Sequence, residues 1–306
     1  MTGPSGEAAW ADYWASAGPG SQGGGCLPKA MQQVEASLAR GWREAARSLR
    51  RGARVIDLAT GDGVVLRAMR AERADLKLIG VDSATVLPPA PRGVSLRSGV
   101  RMEKLPFADN HAELVTSQFG YEYGDTARIA GEVVRLLKPS GGLRFVLHHS
   151  ASPIVAHNLE RRRALAWAAV ENGLIGKARA LATARSRVDI PTPPAFGAAV
   201  AEAKRLFPTQ DVATEFATAV WQAVELGRRS PPAETLRALS VLEGKAANEM
   251  ARIDALGGAA SDEYRIAGIA RELAAAGVRI DEPTTLGENG AGRPLAWLLV
   301  GTKPGR

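Results

Sequence analysis

The chain has a single cysteine, Cys26, among 306 residues. One thiol excludes a disulfide framework and a cysteine-based zinc site within one chain, and a reducing cytoplasm is the expected compartment. Aromatic residues are few, at 5%. No run approaches the roughly 18 apolar residues that a membrane-spanning helix needs. The opening "MTGPSGEAAW" has neither the charged start nor the apolar core of a signal peptide, so none is expected. No G-x-x-x-x-G-K-[ST] loop occurs, because "EGKAAN" (243–248) lacks the hydroxyl after Lys245 and sits in a helical stretch. No internal repeat is seen, and no metal site is expected.

What is present is an ordinary globular composition, 45% hydrophobic and 23% charged, enough for one large domain or two modest ones. The net charge of +7 raises nucleic acid as a partner. The basic residues are scattered, however. Arg40, Arg43, Arg47, Arg50, Arg51 and Arg54 form the densest run and stand at helical spacings, which reads more simply as a solvated helix face. Arg161, Arg162 and Arg163 form a second small cluster of the same kind. Nucleic acid is therefore an alternative partner and not the expected one.

Hydrophobic periodicity divides the chain. "EAAWADYWASAG" (7–18) is a short aromatic helix, "GPGSQGGG" (18–25) a flexible loop, and 29–49 an amphipathic helix with Val34, Leu38, Trp42 and Leu49 on one stripe. From "ARVIDLA" (53–59) onward, short β-branched runs alternate with helices. Further strands are expected at 76–82, 93–99, 112–119 and 142–150, with helices at 63–72 and 126–139, the last closed by Pro139 and the "SGG" turn. A proline loop, 88–93, replaces a helix between the second and third strands. Such alternation gives a parallel α/β sheet with right-handed crossovers. Residues 155–256 read as helices only, at about 158–185, 193–206, 210–229 and 231–255. A helix over 261–277 with Ser261 as its N-cap follows, and "VRIDEPTTL" and "PLAWLLVGTKP" form a closing pair of strands.

The chemistry begins at "VIDLATGDGVVL" (55–66), where a strand enters a glycine turn and then a helix. That geometry presents backbone N–H groups and the positive end of a helix to a polar or anionic ligand. Gly61 and Gly63 permit the tight turn. Asp82 ends the second strand 21 residues after Gly61, where a carboxylate accepts both hydroxyls of a ribose. A dinucleotide fingerprint would put its third glycine where Leu66 stands, and Leu66 obstructs the helix–strand approach that glycine allows.

"VIDLATGDG", "LIGVDSA", "EKLPFADNHAELVTSQF" and "VVRLLKPSGGL" follow one another as in the class I S-adenosylmethionine-dependent methyltransferases. The chain resembles in particular the branch with the quinone-biosynthesis C-methyltransferases and many small-molecule methyltransferases. The resemblance covers about residues 50–150 and, more loosely, 261 onward. It implies a Rossmann-like α/β sheet, seven-stranded and mostly parallel with an antiparallel last strand. The organisation expected is an N-terminal helical cap (1–50), a cofactor-binding core (51–154), a helical insertion after the fifth strand (155–260) and the last helix and strand pair (261–306). It also implies S-adenosyl-L-methionine as cofactor. Asp57, Ala59, Thr60, Gly61 and Gly63 match the motif around its methionine part, Asp82 the ribose acid, and Ser83 lies beside the adenine. Arg101, Met102 and Glu103 match the segment at the adenine edge, and Gln118 and Phe119 the strand end near the transferable methyl group.

Two residues depart from the pattern. Ala59 replaces the commonest first glycine. Arg101 stands where the family usually has an aspartate that accepts the adenine amino group, and arginine has no acceptor lone pair; Glu103 is the candidate substitute.

Candidate acceptor-side residues come from three places. His148 and His149 end the fifth strand, where ligands of open α/β sheets sit, and either can serve as a general base; the plain alternative is a polar strand end. Tyr121, Glu122 and Tyr123 follow the fourth strand and either line the pocket or pack on the next helix. Trp14, with Trp10, either forms an aromatic lid over the site or packs on the sheet. "SQFGYE" lacks the Asn/Asp-Pro-Pro-aromatic motif of nucleic-acid amine methyltransferases. The function expected is methyl transfer to a small molecule at an O, N or C atom. An RNA or protein methyltransferase and a non-catalytic nucleoside-binding or interaction module remain as alternatives. The helical insertion is expected to cap the substrate or to form a homodimer surface.

Overall fold

The computed structural model describes residues 5–17, 27, 31–287 and 293–305; Cys26 and the 18–25 loop lie outside them. Short, unbroken runs of branched residues suit strands buried on both faces, and these build the sheet. β1 (Arg54–Leu58), β2 (Lys77–Val81), β3 (Val94–Arg97), β4 (Ala112–Gln118) and β5 (Leu137–His148) lie parallel. β8 (Pro294–Thr302) is antiparallel to β5. β6 (Arg279–Ile280) and β7 (Thr284–Gly287) both pair with β8, at its two ends. The sheet order is β3-β2-β1-β4-β5-β8-β6, with β7 also on β8. The sheet is thus the mostly parallel one the motifs imply, with one edge position split between two short strands.

Alternate strand residues face opposite sides. Ile56, Val115, Phe145 and Leu299 pack with α4 (Thr126–Leu136) and α10 (Glu263–Ala276). Val55, Leu114 and Val146 pack with α2 (Gln32–Arg47) and α3 (Val64–Glu72). Leu66, fully buried, fills the space that a third glycine would leave between α3 and the sheet. α1 (Gly6–Ser16) precedes these elements. No helix joins β2 to β3, as the proline loop requires.

Three boundaries differ from the sequence reading. α4 stops at Leu136 and β5 starts at Leu137, so "SGG" lies within the strand and not in a turn before it. Pro139 disfavours helix in the residue before it, and Leu137 is drawn into register with Ala112. The N-cap of α10 is Asp262, whose carboxylate accepts from the Arg265 N–H at 2.8 Å, and not Ser261. Ser261 is buried instead, its N–H given to the His148 carbonyl at 2.8 Å. The long helix expected over 158–185 is two helices separated by a π-turn, Trp167–Glu171, and by Gly173 at φ +65°.

The chain divides into two units, Glu7–Ala156 with Ala255–Arg306, and His157–Asp254 with Met1–Gly6. The first contains the whole sheet. The second is built from α5 (Pro153–Ala166), α6 (Leu174–Ala184), α7 (Ala195–Leu206), α8 (Asp211–Leu226) and α9 (Pro232–Ala259), the outer two of which begin or end beyond it. Leu165, Leu174, Phe216, Val220 and Val224 form its core, whereas Val170 and Trp221 are exposed. Arg161 pairs with Glu249 at 2.6 Å and Arg162 with Asp254 at 2.9 Å. No described helix is long and apolar enough to cross a membrane.

The two neighbouring candidates for the α10 cap separate in a stability measurement. Asp262→Ala removes the cap and is expected to cost about 1 kcal/mol in urea unfolding. Ser261→Ala removes a buried hydroxyl that bonds no described residue, and is expected to cost nothing.

Candidate active site

The carboxyl ends of β1, β2, β4 and β5 converge on one rim of the sheet, and the candidate residues hang from it. Asp57 is buried in β1. It accepts from the Thr60 hydroxyl at 2.6 Å and from the Thr116 hydroxyl of β4 at 2.7 Å. Burial pushes its carboxyl up to about 7, partly opposed by those two hydrogen bonds. The turn after β1 is therefore pinned to β4 through one carboxyl.

The turn itself is self-contained. The N–H groups of Thr60, Gly61, Gly63 and Val64 donate to the Val81 carbonyl, the Asp82 carboxylate, the Thr60 carbonyl and the Asp62 carboxylate respectively. A phosphate-binding loop keeps such donors for its ligand. This one has spent them, so it suits a ligand that needs close approach and not one that needs a row of N–H donors. Gly61 (φ +53°) and Gly63 (φ +74°) provide the approach.

Asp82 faces this turn. Its Oδ2 accepts from Gly61 N–H at 2.9 Å and its Oδ1 from Ala84 N–H at 3.0 Å. Burial raises its carboxyl from the ordinary range. The Ser83 backbone also contributes a hydrogen bond, and an ionised carboxylate offers about four lone-pair sites, so acceptor capacity remains for a ribose hydroxyl. Ser83 beside it is exposed.

Ala59 adopts φ +50°, a left-handed conformation that glycine tolerates better. Its methyl group is accommodated by Gly120 in the loop after β4, where a Cβ would overlap it. Phe119 beside Gly120 is also left-handed, at φ +57°. Two non-glycine residues thus hold left-handed conformations at the rim, as functional sites often show.

Arg101 and Glu103 lie at the edge of this region. Arg101 pairs with Glu7 of α1 at 2.8 Å and more loosely with Glu103 at 3.6 Å. Glu103 also accepts from Asp125 N–H at 3.3 Å. Met102 is half-buried. A cleft of about 490 Å³ opens beside them, lined by Lys104, Tyr123, Asp125 and Arg128 as well. Gln118 is held by the Trp42 indole of α2, which donates to it at 2.6 Å.

The acceptor-side candidates separate. Tyr121 is fully buried, stacked on Phe145 at 4.6 Å with its hydroxyl donated to the Thr126 carbonyl at 2.8 Å, and so belongs to the core. His149 stacks on Trp297 at 4.6 Å and accepts the Ala151 N–H at 3.0 Å; burial holds its imidazole below the usual range. His148, on the opposite face of β5, is fully buried against Phe119, ring centroids 4.3 Å apart. Tyr123 meets it edge-on at 6.0 Å. Trp10 lies 6.1 Å from Tyr123 and 6.3 Å from Trp14. The Trp14 ring rests on Gly61, where an added Cβ would overlap it. α1 thus lays a row of aromatic rings along the rim from His148 to the glycine turn.

Residues 56–145, which carry this rim, match the family model described as a methyltransferase domain. This stretch is similar to that domain, over about 90 of the 306 residues. No curated protein matches the chain. Similar solved structures include a chain of the complex between the Haloferax volcanii Trm112 methyltransferase activator and a methyltransferase (13% identity, 91% of this chain and 93% of that one, TM-score 0.46). Others are S-adenosylmethionine-dependent methyltransferases from Listeria monocytogenes (14%, 88% and 99%, TM-score 0.43) and Aquifex aeolicus (10%, 88% and 89%, TM-score 0.41). These distant likenesses carry no argument about what the chain does. The rim fits the methyl donor that the motifs imply: Gly61 and Gly63 hold positive φ in the turn, Asp82 keeps acceptor capacity beside it, and four of the turn's N–H groups are bonded within the protein.

One residue was not singled out from the sequence as more than a pocket-lining candidate. Glu122, in the turn Tyr121–Tyr123, is fully buried, and its Oε1 lies 2.8 Å from both the backbone nitrogen and Nδ1 of His148. The signal available was an acid within "YEY" directly after the fourth strand, opposite a histidine ending the fifth.

Asp57 leaves a pH signature. Its unfolded carboxyl titrates near 3.8 and its folded one near 7, so the folded state binds the extra proton between those values. That contribution to stability is fully present below about 4 and is lost as pH rises to about 7 and beyond. Against wild type, Asp57→Asn is expected to flatten this fall in unfolding free energy between pH 5 and pH 7, and parallel curves would refute the raised titration.

Proposed function

We propose that the chain is an S-adenosylmethionine-dependent methyltransferase acting on a small-molecule acceptor. The observation that carries this reading is the bond between Asp82 and the Gly61 N–H, 2.9 Å, within the matched domain. It sets a ribose acid against a turn whose donors are already used. In this reading Asp82 holds the ribose, Gly61 and Gly63 let the methionine part lie close to the backbone, and the segment around Glu103 borders the adenine. Gln118 and Phe119 lie at the strand end nearest the methyl group. When bound, the cofactor supplies an electrophilic methyl group on a sulfonium sulfur.

The chain's own residues supply positioning, which can contribute about 7–11 kcal/mol when reactants are well aligned. His148 is the candidate base for a nucleophile that carries a proton, and His149 serves the turn after β5 in this reading. The basic clusters support a small-molecule acceptor over RNA. Arg47 pairs with Glu72, Arg50 with Glu113, Arg161 with Glu249 and Arg162 with Asp254, so these four arginines are engaged within the protein. A cap over the acceptor side is the role proposed for the helical unit, from its place in the chain directly after β5.

Calorimetry with S-adenosylhomocysteine tests the reading. Saturable binding to wild type is expected, with Asp82→Ala weakened tenfold or more, a loss of about 1.4 kcal/mol or greater. Absence of heat and of any thermal shift at millimolar ligand would remove the cofactor assignment.

A further inference from the structure

We propose that Glu122 is a positioning residue that fixes the protonation of His148, so that His148 takes the proton released by an acceptor hydroxyl or amine. This rests on the methyl-transfer reading. Both side chains are fully buried, where a charge or polar atom needs a partner. One oxygen, Oε1, faces two nitrogens of the same residue, the backbone N–H and Nδ1, each at 2.8 Å. The backbone nitrogen can only donate, so Oε1 is an acceptor. A carboxylate there requires Nδ1 also to carry its hydrogen, and Nε2 is then the nitrogen that accepts.

The turn bearing Glu122 is itself held from outside. Arg265 of α10 donates to the Glu122 carbonyl at 3.1 Å, and the Ser117 hydroxyl accepts the Tyr121 N–H at 3.0 Å. Phe119 stacked on the imidazole fixes the ring plane. The carboxylate, the turn and the stacked ring therefore define one tautomer and one orientation, the arrangement by which an acid orients a catalytic histidine. The second oxygen, Oε2, bonds no described residue.

The proton step balances within these groups. As the acceptor's oxygen or nitrogen bonds to the methyl carbon, the methyl–sulfur bond breaks and its electron pair stays on sulfur. The proton leaving the nucleophile passes to Nε2. The imidazolium so formed lies against the Glu122 carboxylate, which neutralises it without a change in solvation. Among the described contacts, Glu122 and Tyr123 are titratable groups that meet His148, and Arg265 donates to the Glu122 carbonyl.

Nitrogen-15 NMR of the histidine side chains in the full chain decides this, with His148 assigned by loss of its signals in His148→Gln. Wild type is expected to show His148 hydrogenated at Nδ1 and unprotonated at Nε2. Glu122→Gln keeps an acceptor oxygen and is expected to keep that tautomer while lowering the pH at which His148 becomes a cation by one unit or more. Glu122→Ala is expected to move the hydrogen to Nε2; should it fail to fold, the glutamine variant still carries the test. His148 hydrogenated at Nε2 in wild type, or a titration unmoved in Glu122→Gln, overturns the proposal. S-adenosylhomocysteine binding is measured on the same samples. Its absence with the expected tautomer supports the role of Glu122 in fixing the proton and removes the methyl-transfer reading alone.

Discussion

A carboxyl buried between two threonines sets the geometry of the rim. Asp57 ties Thr60, and with it the turn after β1, to Thr116 in the next strand. Once Thr60 is held there, its side chain crosses β2 so closely that only glycine fits at position 80. Gly61 follows at the height where Asp82 meets its N–H. A single buried acid thus fixes the turn, the residue permitted in the neighbouring strand and the reach of a second acid. The burial that makes the arrangement stiff also raises both carboxyls from their ordinary range.

The two departures from the methyltransferase pattern have local explanations. Ala59 keeps the left-handed conformation of the glycine it replaces, and the loop after β4 supplies the missing space through Gly120. The alanine and that glycine act as a pair. Arg101 is engaged with Glu7 of the first helix, and Glu103 divides its carboxylate between Arg101 and the backbone at Asp125. The segment around Arg101 and Glu103 is thus partly a fastening for α1.

Much of this was legible in the sequence because the signals are local. Each of β1 to β4 is an apolar run bounded by glycine, proline or acidic punctuation, and each lies within two residues of its expected place. The start of β5 was not legible, since a helix passing directly into a strand leaves no turn to read; the pairing of Leu137 with Ala112 decides it. The cap of α10 was ambiguous because Ser261 and Asp262 are both good caps, and only the bridge to His149 draws the serine away. Adjacent histidines cannot be ranked without knowing which face of a strand is which. Tyr121 and Glu122 look alike as pocket candidates, yet one is core and the other meets His148, because a tight turn sends neighbouring side chains in different directions.

The tryptophan lying on Gly61 has a thermodynamic consequence. Under the proposed function, a ligand lying against Gly61 would claim space that the Trp14 ring now fills, so binding would be an exchange and not a simple addition. The ring covers the glycine backbone. Measured affinity would then be the intrinsic affinity multiplied by the fraction of molecules in which the Trp14 ring is clear of Gly61. Sequence changes far from any ligand atom, in the helix or in its Glu7–Arg101 fastening, would tune occupancy by altering that fraction alone.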